Sequence, residues 1–162
     1  MATKRSAGLL LFRIPDRSTG LPVEVLIGHM GGPFWQNQDG EAWSTPKGEY
    51  TPDEEPMAAA RREFEEELGF PPPDGVWLPL GEARQPSGKI NTIWAMEADL
   101  DTALFVPGTF TMEWPPRSGR RVEFPEIDQI EWTGIDKARS RLVPGQLIFL
   151  DRLEELLSAR RD

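Results

Sequence analysis

Two stretches near the start of the chain, Ser6 to Arg13 and Val23 to Met30, are rich in Leu, Ile and Val and flank the turn-forming run Pro15-Asp-Arg-Ser-Thr-Gly20. That pattern predicts a strand, a loop and a second strand. Further on, Val76 to Ala83 and Ile90 to Ala98 alternate around Pro86-Ser-Gly88 and predict a hairpin. Ile130 to Thr133 is the expected last core strand, and a short helical stretch follows near Asp136 to Leu142. Pro144 then opens a helix to about Arg160, with Leu147, Leu150, Leu153, Leu156 and Leu157 as a core-facing stripe. Leu104 to Phe124 shows no clear period and contains Pro115-Pro116 and the basic run Arg117-Ser-Gly-Arg-Arg121. It is expected to be a long loop over the substrate, its basic run either a ligand contact or a solvated tip.

The middle of the chain holds the stretch Gly48 to Phe70, GEYTPDEEPMAAARREFEEELGF. Proline is tolerated in the first turn of a helix and turns the preceding residue away from helical angles, so the helix is expected to start at Pro56. Thr51-Pro52-Asp53-Glu54 also fits a capping box, but that start would place Pro56 inside the helix. Gly69 supplies the stop, and Pro71-Pro72-Pro73 forbids continuation. Glu63, Glu66 and Glu67, at i, i+3 and i+4, then share one face, beside an apolar arc of Met57, Ala60, Phe64 and Leu68 expected to pack on a sheet.

Like charges at this spacing repel, by a few tenths of a kcal/mol per exposed pair and by more when desolvated. Arg62 borders the acidic face, but one guanidinium cannot balance Glu54, Glu63, Glu66 and Glu67 together. A divalent cation can. The chain has no Cys and a single His, His29, far from the cluster and more simply explained as structural. Oxygen donors alone favour Mg2+, with Mn2+ as a substitute, over zinc or copper. The plainer alternative is a solvated acidic helix face.

The spacing of the whole stretch discriminates between the two. It fits G-x5-E-x7-R-E-U-x-E-E-x-G-U, with U an apolar residue, through Gly48, Glu54, Arg62, Glu63, Glu66, Glu67 and Gly69. A chance match of all these positions in one window is on the order of one in a hundred million. The stretch resembles the signature of the Nudix hydrolases, with Phe64 and Phe70 at the positions that usually carry bulky aliphatic residues. The resemblance implies an α/β fold, an α/β/α sandwich around a central mixed sheet, formed by one domain over residues 1–162. It also implies metal-dependent hydrolysis of a diphosphate linked to a further group.

Carried onto this sequence, the resemblance makes Glu66 and Glu67 metal ligands, Glu63 a ligand or base, the Gly48 carbonyl a further donor, and Arg62 the residue that orients the carboxylates. Glu54 would hold the loop against the helix or bind a further ion. A further carboxylate is expected ahead of the last strand, as ligand or water-activating base. Glu126 is the choice, with Glu113, Glu123 and Asp128 as alternatives. Pro46-Lys47-Gly48 resembles the approach found in the branch acting on dinucleoside polyphosphates and inositol pyrophosphates, with Lys47 as a phosphate contact. Arg84 and Lys89 flank the hairpin turn within reach of phosphate, or are surface charges. Trp35, in the loop from Gly31 to Gly40, either stacks on a nucleobase or caps the core edge.

The length and the regular alternation fit a single core and argue against disorder. With 18 basic and 27 acidic residues the net charge is −9, which makes a nucleic-acid duplex an unsuitable partner. A small polyphosphate would approach such a site only with metal bound. No stretch reaches membrane-spanning length, so a cytoplasmic protein is expected. The expected substrate is a nucleoside polyphosphate, diadenosine polyphosphate first and nucleoside triphosphate second. The alternatives are an ADP-ribose or inositol pyrophosphate hydrolase and a nucleotide-binding module that has lost catalysis. Two others fit poorly: a prenyl diphosphate isomerase would need a cysteine, and messenger-RNA decapping a basic path.

Overall fold

A computed structural model describes residues 3–19 and 21–161. Gly20, at the end of the expected turn-rich insert, and the ends of the expected 1–162 domain lie outside the described residues. Strands β1 (Arg5–Arg13), β2 (Glu24–Met30), β3 (Trp43–Ser44), β4 (Lys47–Tyr50), β5 (Leu78–Arg84), β6 (Ile90–Glu97) and β9 (Ile127–Gly134) form a seven-stranded sheet. β1 runs parallel to β6 and antiparallel to β2 and β4, while β5 and β9 pair antiparallel at their respective edges. The sheet is mixed, as expected.

Alternation along β1 sorts the two faces. Leu9 and Leu11 join Phe64 and Leu68 of helix α1 (Pro56–Leu68), with Met96 and Ile130 beside them. Leu10 and Phe12 point the other way, against Phe149, Leu150, Leu153 and Leu157 of helix α3 (Leu147–Arg161) and Ile135 and Ala138 of helix α2 (Ile135–Arg141). A period of two side chains per strand thus buries both faces, and each fully buried Leu or Phe contributes about 1.5–3 kcal/mol. The layers are helix, sheet, helix.

Two corrections follow. The stretch expected as a long loop carries a second sheet of two antiparallel strands, β7 (Thr109–Glu113) and β8 (Arg121–Pro125), and the basic run is its tip. In the expected apolar arc of α1, Met57 is 42% exposed and Ala59 is buried instead, because the helix meets Ala7 of β1 through the small residues Ala59 and Ala60.

Candidate metal and phosphate site

Local chemistry fixes α1. Glu55 is extended, Pro56 occupies the first helical position, and Gly69 closes the helix with φ 86°, a conformation natural to glycine. The approach is fixed by β4, whose Gly48 pairs with Ala7 of β1. At Gly48 the Glu63 carboxylate lies directly over the α-carbon, where any β-carbon would overlap it. This fold therefore needs glycine at position 48 for close approach.

Arg62 is the hub of the acidic cluster. Its Nε and Nη2 donate to the two Glu54 oxygens, each at 2.9 Å, and its Nη1 donates to Glu63 at 2.8 Å and Glu66 at 3.3 Å. The bidentate pair ties the loop before α1 to its middle, as the Glu54 expectation required. The Glu54 hydrogen bonds, the largest influence, raise the Arg62 pKa, and the same pair lowers that of Glu54.

Glu67 is left outside Arg62's reach. Its side chain is largely enclosed and accepts the Lys47 backbone N–H at 3.3 Å. Burial first, and then the charges of Glu63 and Glu126, push its pKa up to about 9. Glu63 is also raised, chiefly by desolvation, against the opposing pull of Arg62. Desolvation and the facing Glu63 and Glu66 raise Glu126. Glu63 and Glu126 thus act on Glu67, and Glu63 and Glu66 on Glu126, through their charges.

The register slips by one residue where β9 begins, between His29 and Met30, and a bulge of this kind redirects side chains. Glu126 sits just before it. Its carbonyl accepts the Gly31 N–H at 2.9 Å, and its N–H donates to the Gly108 carbonyl at 2.8 Å. His29 lies beyond the bulge, 7% exposed, with Nδ1 2.8 Å from Asp128 and Nε2 2.5 Å from the Gln38 carbonyl. Both ring nitrogens are engaged, so His29 is a clamp on the loop after β2, and Asp128 serves that clamp.

The other expected contacts divide. Lys47 is largely enclosed beside the cluster; desolvation and the neighbouring Lys89 lower its pKa while Glu67, Glu49 and Glu63 oppose them. Lys89 pairs with Glu49 at 3.0 Å on the same strand region. Arg84 is turned to the Gly88 carbonyl in the hairpin turn at 3.1 Å. Trp35 packs against the α3-side core, whereas its neighbour Phe34 is 65% exposed. Of the two aromatics in this loop, Trp35 is the one that caps the core edge; adjacent aromatics in a turn carry no signal that says which one faces inward. A separate concavity of about 1040 Å³ lies at the far end of β1, where Arg13 and Arg17 are already paired with Glu24, Asp99 and Glu97.

Among the described residues, no three acid or imidazole groups are gathered closely enough around one point to enclose a cation as they stand. The donor set nonetheless suits a hard divalent ion. Every candidate donor is an oxygen, burial and then the charges of Glu63 and Glu126 hold Glu67 in its neutral form, and Glu126 is exposed and free to turn inward.

The NUDIX domain family model matches residues 4–153. The chain superimposes on an Ap4A hydrolase from C. elegans, solved as a binary complex, with a TM-score of 0.65 and 17% identity, covering 97% of this chain and 99% of that one. For a mutT/nudix family protein from Listeria innocua the TM-score is 0.66 and the identity 16%, covering 99% and 98%. For the NUDIX domain of NrtR from Shewanella oneidensis, solved with ADP ribose, they are 0.61 and 14%, covering 97% and 90%. No curated protein sequence matches the chain significantly. At these identities the structural likeness speaks for the fold.

Proposed function

The chain belongs to the Nudix family of hydrolases, which act on nucleoside diphosphate derivatives, and from that premise we propose a nucleoside polyphosphate as its substrate. A dinucleoside polyphosphate stands first and a nucleoside triphosphate second, with Mg2+ as the cation and Mn2+ as its substitute. The reading rests on Glu63, Glu66, Glu67 and Glu126 lying within electrostatic reach of one another, with the Lys47 amide bonded to Glu67 beside them. Glu63, Glu66, Glu67 and Glu126 would hold the cation, which would neutralise phosphate oxygens and acidify water.

The chain's own residues do the rest. Arg62 holds Glu63 and Glu66 through hydrogen bonds that fix their rotamers. Glu67, enclosed and oriented by the Lys47 amide, gives up its proton once its surroundings carry compensating positive charge. Glu126, being exposed, is placed to accept a proton from water. The Lys47 ammonium, lacking full solvation, favours an incoming phosphate over its present surroundings.

Hydrolysis of diadenosine polyphosphates, nucleoside triphosphates and ADP-ribose by the metal-stripped chain, with Mg2+ or Mn2+ restored, tests this. Turnover should appear only with the cation and be fastest on a diadenosine polyphosphate. Preferred turnover of ADP-ribose would overturn the substrate assignment.

A further inference from the structure

One face of the ribbon β7–β8 is apolar and only partly covered. Phe110, Met112 and Trp114 alternate along the first strand, and Phe124 and Val122 stand opposite Phe110 and Met112. All five are half-buried, while Thr111, Glu113, Arg121 and Glu123 take the other face and are exposed. What reaches the apolar face is the loop after β2. Gly32 lies against Phe110, and the exposed ring of Phe34 meets Trp114 edge-on, with centroids 5.4 Å apart and planes at 82°. Phe34 is exposed and Trp114 half-buried, so this pair offers aromatic surface against which a third ring can pack.

The ribbon is continuous with the acid cluster. Glu126 is bonded through its main chain to Gly31, where the loop leaves β2, and to Gly108, where the ribbon starts. Trp114 is five residues up the ribbon from Thr109, roughly 17 Å at the rise of a strand. The base of a nucleotide that reacts at its own first phosphate does not span that distance. A base at the far end of a polyphosphate chain does. The tip carries Arg117, Arg120 and Arg121, all exposed, on a chain whose net charge is −9, and so attracts a polyanion locally.

We propose that Phe34, Trp114 and the apolar face of β7–β8 hold the distal nucleobase of a dinucleoside polyphosphate whose anhydride lies at the acid cluster. The inference rests on the reading of that cluster as a nucleoside polyphosphate site, and adds the residues that select two-base substrates over one-base ones. Stacking on an aromatic ring tolerates any base, so the site selects for the presence of a second base more than for its identity.

The test is calorimetric titration, with Mg2+, of methylene-bridged analogues of diadenosine tetraphosphate and of ATP. The wild-type chain should bind the dinucleotide analogue about 10-fold more tightly. Phe34→Ala and Trp114→Ala should each erase most of that preference and leave the ATP analogue unaffected, and Trp114→Phe should restore it. Phe34 is exposed, so its variant tests the idea without disturbing the fold. No preference in the wild type, or equal weakening of both analogues in the variants, overturns the inference. Turnover of the natural substrates, followed in parallel, separates the two readings: a chain that shows this preference but hydrolyses neither compound keeps the base site and loses the hydrolase assignment.

Discussion

Replacing Glu67 by Gln should stabilise the metal-free protein while abolishing most of its activity. Burial and the charges of Glu63 and Glu126 push the Glu67 pKa from 4.5 to about 9. At pH 7 the side chain is therefore protonated when folded and ionised when unfolded, so folding must take up a proton. At about 1.4 kcal/mol per pH unit between 4.5 and 7, that uptake costs at most about 3.5 kcal/mol. Gln has no such cost, and its amide oxygen can still accept the Lys47 N–H. For a chain of this size the gain corresponds to roughly 7–14 °C in Tm.

The sign is specific. A raised carboxyl pKa means that the folded state binds more protons between 4.5 and 9, so wild-type stability falls as pH rises through that window. The advantage of Glu67→Gln should be near zero at pH 4.5, grow steadily, and level off near pH 9. Differential scanning calorimetry of metal-stripped wild type and variant across this range measures it. Saturating Mg2+ should narrow the gap by stabilising the wild type alone, and turnover in the variant should fall by orders of magnitude. A gap that does not change with pH, or a variant less stable at pH 7.5, would refute the reasoning.

Gly48→Ala places a methyl group against the Glu63 carboxylate; it should destabilise by about 1–3 kcal/mol, seen as a lower Tm, and reduce kcat as Glu63 is displaced. Arg62→Lys keeps the charge but loses the two-oxygen grip on Glu54 and the bonds to Glu63 and Glu66. Steady-state assays should show about a 10- to 100-fold loss of activity, with a higher Mg2+ concentration needed for half-maximal rate. Lys47→Met preserves the stem and removes the charge, so KM for a nucleoside triphosphate should rise about 10-fold, with a smaller effect on kcat.

The helix α1 and its acid face were legible because their causes are local: Pro56 sets the start, Gly69 the stop, and spacing puts Glu63, Glu66 and Glu67 together. The parallel pairing of β1 with β6 was not, since nothing in either strand names its neighbour. The ribbon β7–β8 escaped because three alternating residues, Phe110, Met112 and Trp114, are too few to stand out beside Pro115-Pro116 and the arginines. The Met57 error has a similar origin. Helical periodicity marks an apolar arc but not which of its residues meet the neighbouring strand, here Ala59 and Ala60 against Ala7.

Glu126 is anchored at the main chain on both sides, to Gly31 and to Gly108, while its side chain is partly exposed. A carboxylate mounted on so firm a base can swing toward the other acids by rotating two side-chain bonds, with no strand or loop obliged to travel. Such rotations take picoseconds to nanoseconds, far faster than loop closure. In the hydrolysis proposed above, bringing Glu126 into place is then not expected to be the slow step.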